Sequence, residues 1–334
     1  MIVNRYVVHV LNKEESDVPI LTEFEGKVSH SIDKLIQAQV GKIFKSDLLR
    51  KAKFNNCSSN IVRNCCETMI HDENTFLENS KEIASYLFEI MKINENLSSC
   101  DLLVSLINHK DEKYIAILKL DYKNLYNHQI NFENEKINIQ MLENEIGISS
   151  STMTKQAAIV GVNSLNDEYD LLVLCKESEV EGRDTKFISE FLDVRKVIDD
   201  SYKTKMFEAL SKHWINGNVL DMKLAEDIRN IRNYMLKENS VMDINKFINT
   251  ALRDTGLEND FREYAERNEF SEDFNINKKY IEKKLKRRTI KTDIGFEVKG
   301  NLEYFDDPMK FAIRVNDNNT CDLIIKNVMH FEDK

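Results

Sequence analysis

LLVSLIN at 102–108 and KYIAILKL at 113–120, separated by HKDE at 109–112, decide the fold. Two apolar runs of strand length on either side of a short polar turn predict a β-hairpin. The surrounding sequence fits a sheet built on it. Upstream, 2–11 (IVNRYVVHVL) is rich in β-branched residues and alternates roughly, which predicts a first strand. Between them, apolar residues recur at three- and four-residue steps from 28 to 44, over 59–70 and over 75–92, which predicts three inserted helices. Downstream, 137–142, 156–162 and 169–175 read as further strands, the last two joined by NSLND. The fold class is α+β: an N-terminal domain at 1–180 with a largely antiparallel sheet and helices inserted after its first strand.

Past VEGRD at 180–184 the period becomes helical. Residues 187–214, 219–237, 243–252 and 258–267 predict helices, with Asp221 and Asp243 placed to cap two of them. This predicts a helical middle segment at 185–270. The remainder, 275–334, predicts a basic helix running into a small β module with strands at 294–298, 309–315 and 321–325 and a turn at DNNT, 317–320.

Composition narrows the function. The chain has 334 residues, 42% hydrophobic and 31% charged, which suits two or three folded domains. No run approaches the length of a membrane span, and 2–11 is interrupted by Arg5 and His9, unlike a signal peptide; the expectation is an intracellular protein with no membrane partner. Six cysteines without CxxC or partnered histidine spacing predict reduced, mostly buried thiols and no metal site. Only nine glycines occur, and neither GxxxxGK[ST] nor GxGxxG is present, which disfavours nucleotide-driven motors and dehydrogenases and implies no cofactor. The seven histidines, among them His71 between two helices and His213 beside Trp214, read as surface or core side chains and not as bases or ligands, SSST at 149–152 lacks a glycine elbow, and Trp214 reads as a core or interdomain anchor.

The charge pattern is the exception. Formal net charge is −10, yet 278–291 carries Lys278, Lys279, Lys283, Lys284, Lys286, Arg287, Arg288 and Lys291 against Glu282 alone. Clustered cations attract polyanions and release counterions from a phosphate backbone. On a continuous helix Lys279, Lys283, Lys286 and Arg287 would share one face, while Tyr280, Ile281 and Leu285 hold the other to the protein. The opposing reading is neutralisation by the acids of 258–273, seven in number. A second basic run, Lys42, Lys45, Arg50, Lys51 and Lys53, is expected on the first inserted helix and its continuation.

One enzymatic alternative is open. Asp101 begins one hairpin strand and Asp121-Tyr122-Lys123 ends the next, an arrangement that holds Mg²⁺ in nucleases when the acids and the lysine converge. An adaptor that binds another protein through its helical middle is a third reading.

Several stretches in order resemble the bacterial nucleoid-associated NdpA or YejK-like family. They are the first strand with His9, Cys100-Asp101-Leu102-Leu103-Val104, Ile117-Leu118-Lys119-Leu120-Asp121, residues 187–192 with the helix that follows, and 321–327 (CDLIIKN). Cys100 stands where the family favours glycine, and Asp193 where a glycine would follow Phe191-Leu192. The resemblance implies a cytoplasmic, nucleoid-associated protein that binds DNA, catalyses no known reaction and has no active site to carry over; the DNA is expected to be double-stranded, and because the basic stripe spells no base-reading set, binding is expected to be largely independent of sequence. A homo-oligomer is compatible with it.

Overall fold

The computed structural model describes residues 1–133, 136–146, 154–161, 168–181, 184–316 and 320–332. They form two compact units, Met1–Val197 and Ile198–Lys334.

The first unit runs β1 (Ile2–Leu11), α1 (His30–Phe44), β2 (Leu49–Phe54), α2 (Ile61–His71), α3 (Phe76–Ile93), β3 (Cys100–His109), β4 (Glu112–Asp121), β5 (Lys123–Glu133), β6 (Lys136–Ile146), β7 (Gln156–Gly161), β8 (Leu171–Cys175), α4 (Lys176–Glu181), a π-helical turn (Phe187–Leu192) and β9 (Val194–Lys196). Seven strands make one antiparallel sheet in the order β1-β3-β4-β7-β8-β2-β9, an α+β architecture as predicted. β3 and β4 read as near-continuous apolar runs because both their faces are covered. Leu102, Val104, Leu106, Ile115 and Ile117 meet α2, α3 and the π turn; Leu103, Ile107, Ala116 and Leu118 meet α1. A positive φ at Lys110 and Asp111 closes the hairpin between them.

Two details of this unit correct the sequence reading. Residues 187–214 are not one helix. The π turn ends at Asp193, which adopts a left-handed conformation (φ 47°, ψ 61°), and β9 intervenes before the next helix. Asp193 is the position where the resemblance led to the expectation of glycine. Its carboxylate accepts from Asn55 Nδ2 at 2.9 Å, which helps to hold a backbone conformation that ordinarily costs a non-glycine residue about 1–2 kcal/mol. Arg50, Lys51 and Lys53 lie on β2, a strand, and not on a continuation of α1. The cause is tertiary pairing: β2 joins β8 and β9 through register contacts of Ala52 with Leu171 and Lys196.

A polar histidine also lies inside. His9 is fully buried; Thr22 N–H donates to its Nδ1 at 3.3 Å, so Nε2 carries the proton toward Ser80 Oγ at 3.0 Å. Burial, aided by the nearby Lys81 charge, pushes its pKa down to about 4.

The second unit contains α5 (Asp200–Asn218), α6 (Met222–Glu238), β10 (Val241–Met242), α7 (Ile244–Ala251), α8 (Thr255–Arg267), β11 (Phe274–Asn275), α9 (Lys278–Lys284), β12 (Arg287–Lys291), β13 (Glu297–Asn301), α10 (Leu302–Asp306), β14 (Phe311–Val315) and β15 (Cys321–Ile325). Asp221 and Asp243 cap α6 and α7 by accepting from Lys223, Leu224 and Lys246 N–H, as predicted. Edge-to-face contacts among Phe207, Trp214, Phe247, Phe261 and Phe270 fill the core, and Trp214 Nε1 donates to Asp260 at 2.7 Å. No helix among the described residues is long and apolar enough to cross a membrane. Cys65, Cys66, Cys100 and Cys175 are buried free thiols.

Candidate nucleic-acid interface

The basic segment begins as a helix and changes to a strand midway. Asn277 caps α9 by accepting from Tyr280 N–H at 3.1 Å, and Ile281 is fully buried in the helical core with Tyr280 and Leu285 beside it. These three apolar side chains anchor the segment as the sequence predicted. Ile281 alone contributes about 2 kcal/mol through burial. The helix closes at Lys284, however, so Lys286 and Arg287 do not share its face with Lys279 and Lys283. The β-branched pair Thr289-Ile290 instead enters β12, which pairs antiparallel with β13 around a turn closed by Thr292 and Gly295 (φ +90°). That turn also explains why 294–296 is not part of the strand predicted at 294–298.

Strand alternation then sorts the cations. Arg287, Thr289 and Lys291 face outward, and Arg288 and Ile290 face inward. Arg288 makes a fork with Glu226 of α6, Nη1 to Oε1 at 2.6 Å and Nη2 to Oε2 at 2.7 Å, and lies 5.4 Å from the Phe305 ring centre. Burial acts to raise the Glu226 carboxyl, but hydrogen bonds and charge from Arg288, with help from Arg229, hold it below the usual range. Arg288 is thus an anchor of the hairpin.

Three further members of the segment are paired. Lys278 Nζ donates to the carbonyls of Leu236 and Lys237 at the end of α6, at 3.1 and 2.5 Å, satisfying acceptors a helix terminus leaves open. Lys284 is 3.6 Å from the buried Glu208, and Lys291 is 3.7 Å from Glu297. The carboxylates met here, Glu208, Glu226 and Glu297, all lie outside 258–273. Within that acidic stretch Asp260 serves Trp214, Glu272 pairs Lys203, and Asp273 accepts from Ile244 N–H.

Lys279, Lys286 and Arg287 are exposed and have no side-chain partner among the described residues. Lys283 is exposed beside them in sequence. The sequence reading missed Lys299. It lies opposite Thr289, hence on the outward face with Arg287 and Lys291, and shares Glu297 at 3.0 Å. Two lysines on one carboxylate leave that face a surplus positive charge. The signal that could have found it is period-two alternation in 297–301.

The second basic run is largely committed to the first unit. Arg50 is buried and donates to Val197 O at 3.1 Å, and Lys51 pairs Glu168 at 3.0 Å.

The nuclease arrangement does not assemble. In the β3–β4 register Cys100 is opposite Asp121 and Asp101 is opposite Leu120, so the two carboxylates project from opposite faces of the sheet. Asp121 is bound by the buried Lys119 and by Ser98 Oγ at 3.0 Å, on the side of α2 and α3. Asp101 accepts from Tyr122 Oη at 3.1 Å, and burial raises its carboxyl against that hydrogen bond. The side chain of Lys123 lies outside the described residues, as do SSST at 149–152, NSLND at 163–167 and most of DNNT. Among the described residues no group of three or more His, Cys, Asp or Glu could hold a metal ion.

A family model described as nucleoid-associated protein YejK matches residues 7–331. The chain belongs to this family. The match takes in both units, from β1 to the segment after β15, and it is the family that the ordered stretches from His9 to CDLIIKN resemble. Membership makes this a nucleoid-associated protein of a bacterial family. No curated protein matches the chain.

Proposed function

We propose that the chain binds double-stranded DNA through phosphate contacts from Lys279, Lys283, Lys286 and Arg287, with Lys291 and Lys299 flanking them, and catalyses no reaction. It acts at the nucleoid, in the cytoplasm. The observation that carries this reading is the set of exposed cations without carboxylate partners among the described residues, Lys279, Lys286 and Arg287, on a chain whose net charge is −10. An acidic protein that leaves such groups unneutralised presents a local positive potential to a polyanion. None of these residues forms a base-reading set, so affinity is largely independent of sequence. The acidic remainder opposes wrapping of long DNA and favours a short footprint.

Anisotropy titration of a DNA duplex over a range of salt concentrations tests it. Engagement of about five phosphates gives a slope of log affinity on log salt near −4.5. Replacing Lys279, Lys286 and Arg287 together by glutamine reduces the slope by about 2.7. An unchanged slope overturns the assignment to these residues. Supercoiled plasmid incubated with the protein and Mg²⁺ remains intact, in keeping with carboxylates Asp101 and Asp121 on opposite faces. Nicks abolished by Lys123→Ala would restore the enzymatic alternative.

A further inference from the structure

β5 and β6 form a two-stranded ribbon separate from the seven-stranded sheet, paired without interruption from Lys123↔Ile146 to Glu133↔Lys136. Eleven residues per strand give it a length of about 35 Å. A lone hairpin of this kind is marginal in water and needs something packed against it. Its register puts His128↔Met141, Ile130↔Ile139 and Phe132↔Ile137 on one face. The apolar members of that ladder are strongly exposed: Ile130 51%, Phe132 76%, Ile137 64%, Ile139 62% and Met141 66%. The opposite face carries Gln129↔Gln140 and Asn131↔Asn138. A ribbon with one apolar and one amide-bearing face has a side meant for burial and a side meant for water.

We infer that this apolar face is a homodimer interface, in which the β5–β6 arms of two copies pack face to face as a small two-layer sandwich. Charge argues for a second copy. In the three rows from His128↔Met141 to Phe132↔Ile137 this face holds no lysine, arginine or carboxylate, the next row bringing Glu143 at its edge, so two identical faces meet there without like-charge repulsion, whereas a phosphate backbone or an anionic lipid surface would find no cation to engage. Area argues the same way. The five apolar side chains leave on the order of 500 Å² open, so a facing pair buries about 1,000 Å², the lower bound for a specific interface. The dimer is therefore weak and concentration-dependent. This inference is independent of the DNA-binding reading.

Sedimentation equilibrium of the full chain without DNA tests it. The expected result is a monomer–dimer equilibrium in the micromolar range, shifted at least tenfold toward monomer by Ile130→Asn with Ile139→Asn, with unchanged circular dichroism. A second measurement keeps the test independent of folding: in a Cys57→Ser, Cys321→Ser background, a short bis-maleimide joins two copies of Ile139→Cys but not of Gln129→Cys, on the amide face. A wild-type chain that stays monomeric at tens of micromolar overturns the inference. So does a dimer that survives the double substitution, or cross-linking through Gln129→Cys as efficient as through Ile139→Cys. If the asparagine variants lose DNA affinity while the oligomeric state is unaltered, the apolar face contacts nucleic acid and the dimer is discarded.

Discussion

The hairpins β5–β6 and β12–β13 share a topology and differ in almost everything their side chains offer. β12–β13 is short and tethered: Arg288 grips Glu226, Ile281 is buried just upstream, and the outward face carries Arg287, Lys291 and Lys299. β5–β6 is twice as long, and its described side chains between 128 and 143 are exposed or half-exposed on both faces, with an outward ladder of isoleucine, phenylalanine and methionine. A two-stranded ribbon fixes little by its backbone. The residues at alternate positions decide whether it presents a cationic or an apolar face.

The largest test of that contrast is charge reversal. Lys279→Glu, Lys286→Glu and Arg287→Glu combined should weaken duplex binding more than 100-fold at low salt while the sedimentation behaviour of the DNA-free chain is unaltered. A loss of dimer in that variant would mean the two ribbons do not act separately. Next comes the anchor. Arg288→Ala leaves the half-buried Glu226 with only the longer Arg229 contact at 3.3 Å, and should cost the second unit about 3 kcal/mol in urea unfolding. Were Arg288 a DNA ligand, as proposed for its neighbours, the same substitution would instead lower affinity with stability intact.

Two controls in the first unit sharpen the comparison from the arm's side. His9 is held neutral in the folded state, its pKa near 4 lying below the unfolded value of about 6.5. The unfolded chain therefore binds the extra proton first. Its contribution to stability is complete above that unfolded value and is lost as pH falls toward 4, a decrease of about 2 kcal/mol between about pH 7 and pH 5. Chemical denaturation at the two pH values measures it, and His9→Gln should flatten the dependence. The smallest effect is expected at the end of the π turn. Asp193→Ala retains the left-handed backbone without the Asn55 hydrogen bond and should cost about 1 kcal/mol, whereas Asp193→Gly should be near neutral.

How far these features could be read in advance depends on what produced them. The hairpin at 102–120, the first strand and α1 to α3 were legible because burial on defined faces writes itself into apolar spacing. β2 was not, since LRKAKF alternates charge with small apolar residues and becomes a strand only by pairing with β8 and β9. β5 was missed for a similar reason: in YNHQINFE amides and a histidine dilute the apolar alternation. In the basic segment composition identified the place, and tertiary contacts then divided it. Nothing in the local sequence says that Arg288 will find Glu226, 62 residues upstream, while Arg287 finds no partner among the described residues.

That division makes the interface sensitive to parity. Adjacent arginines on β12 have opposite assignments only because the strand enters at a fixed phase. Inserting one alanine between Leu285 and Lys286 would exchange them, turning the gripping guanidinium outward and driving its neighbour toward Glu226. Such a chain would keep every charge it has now, and with them its isoelectric point, yet present a different set of cations at the proposed DNA-binding face. For this protein the address of a cation matters more than the sum.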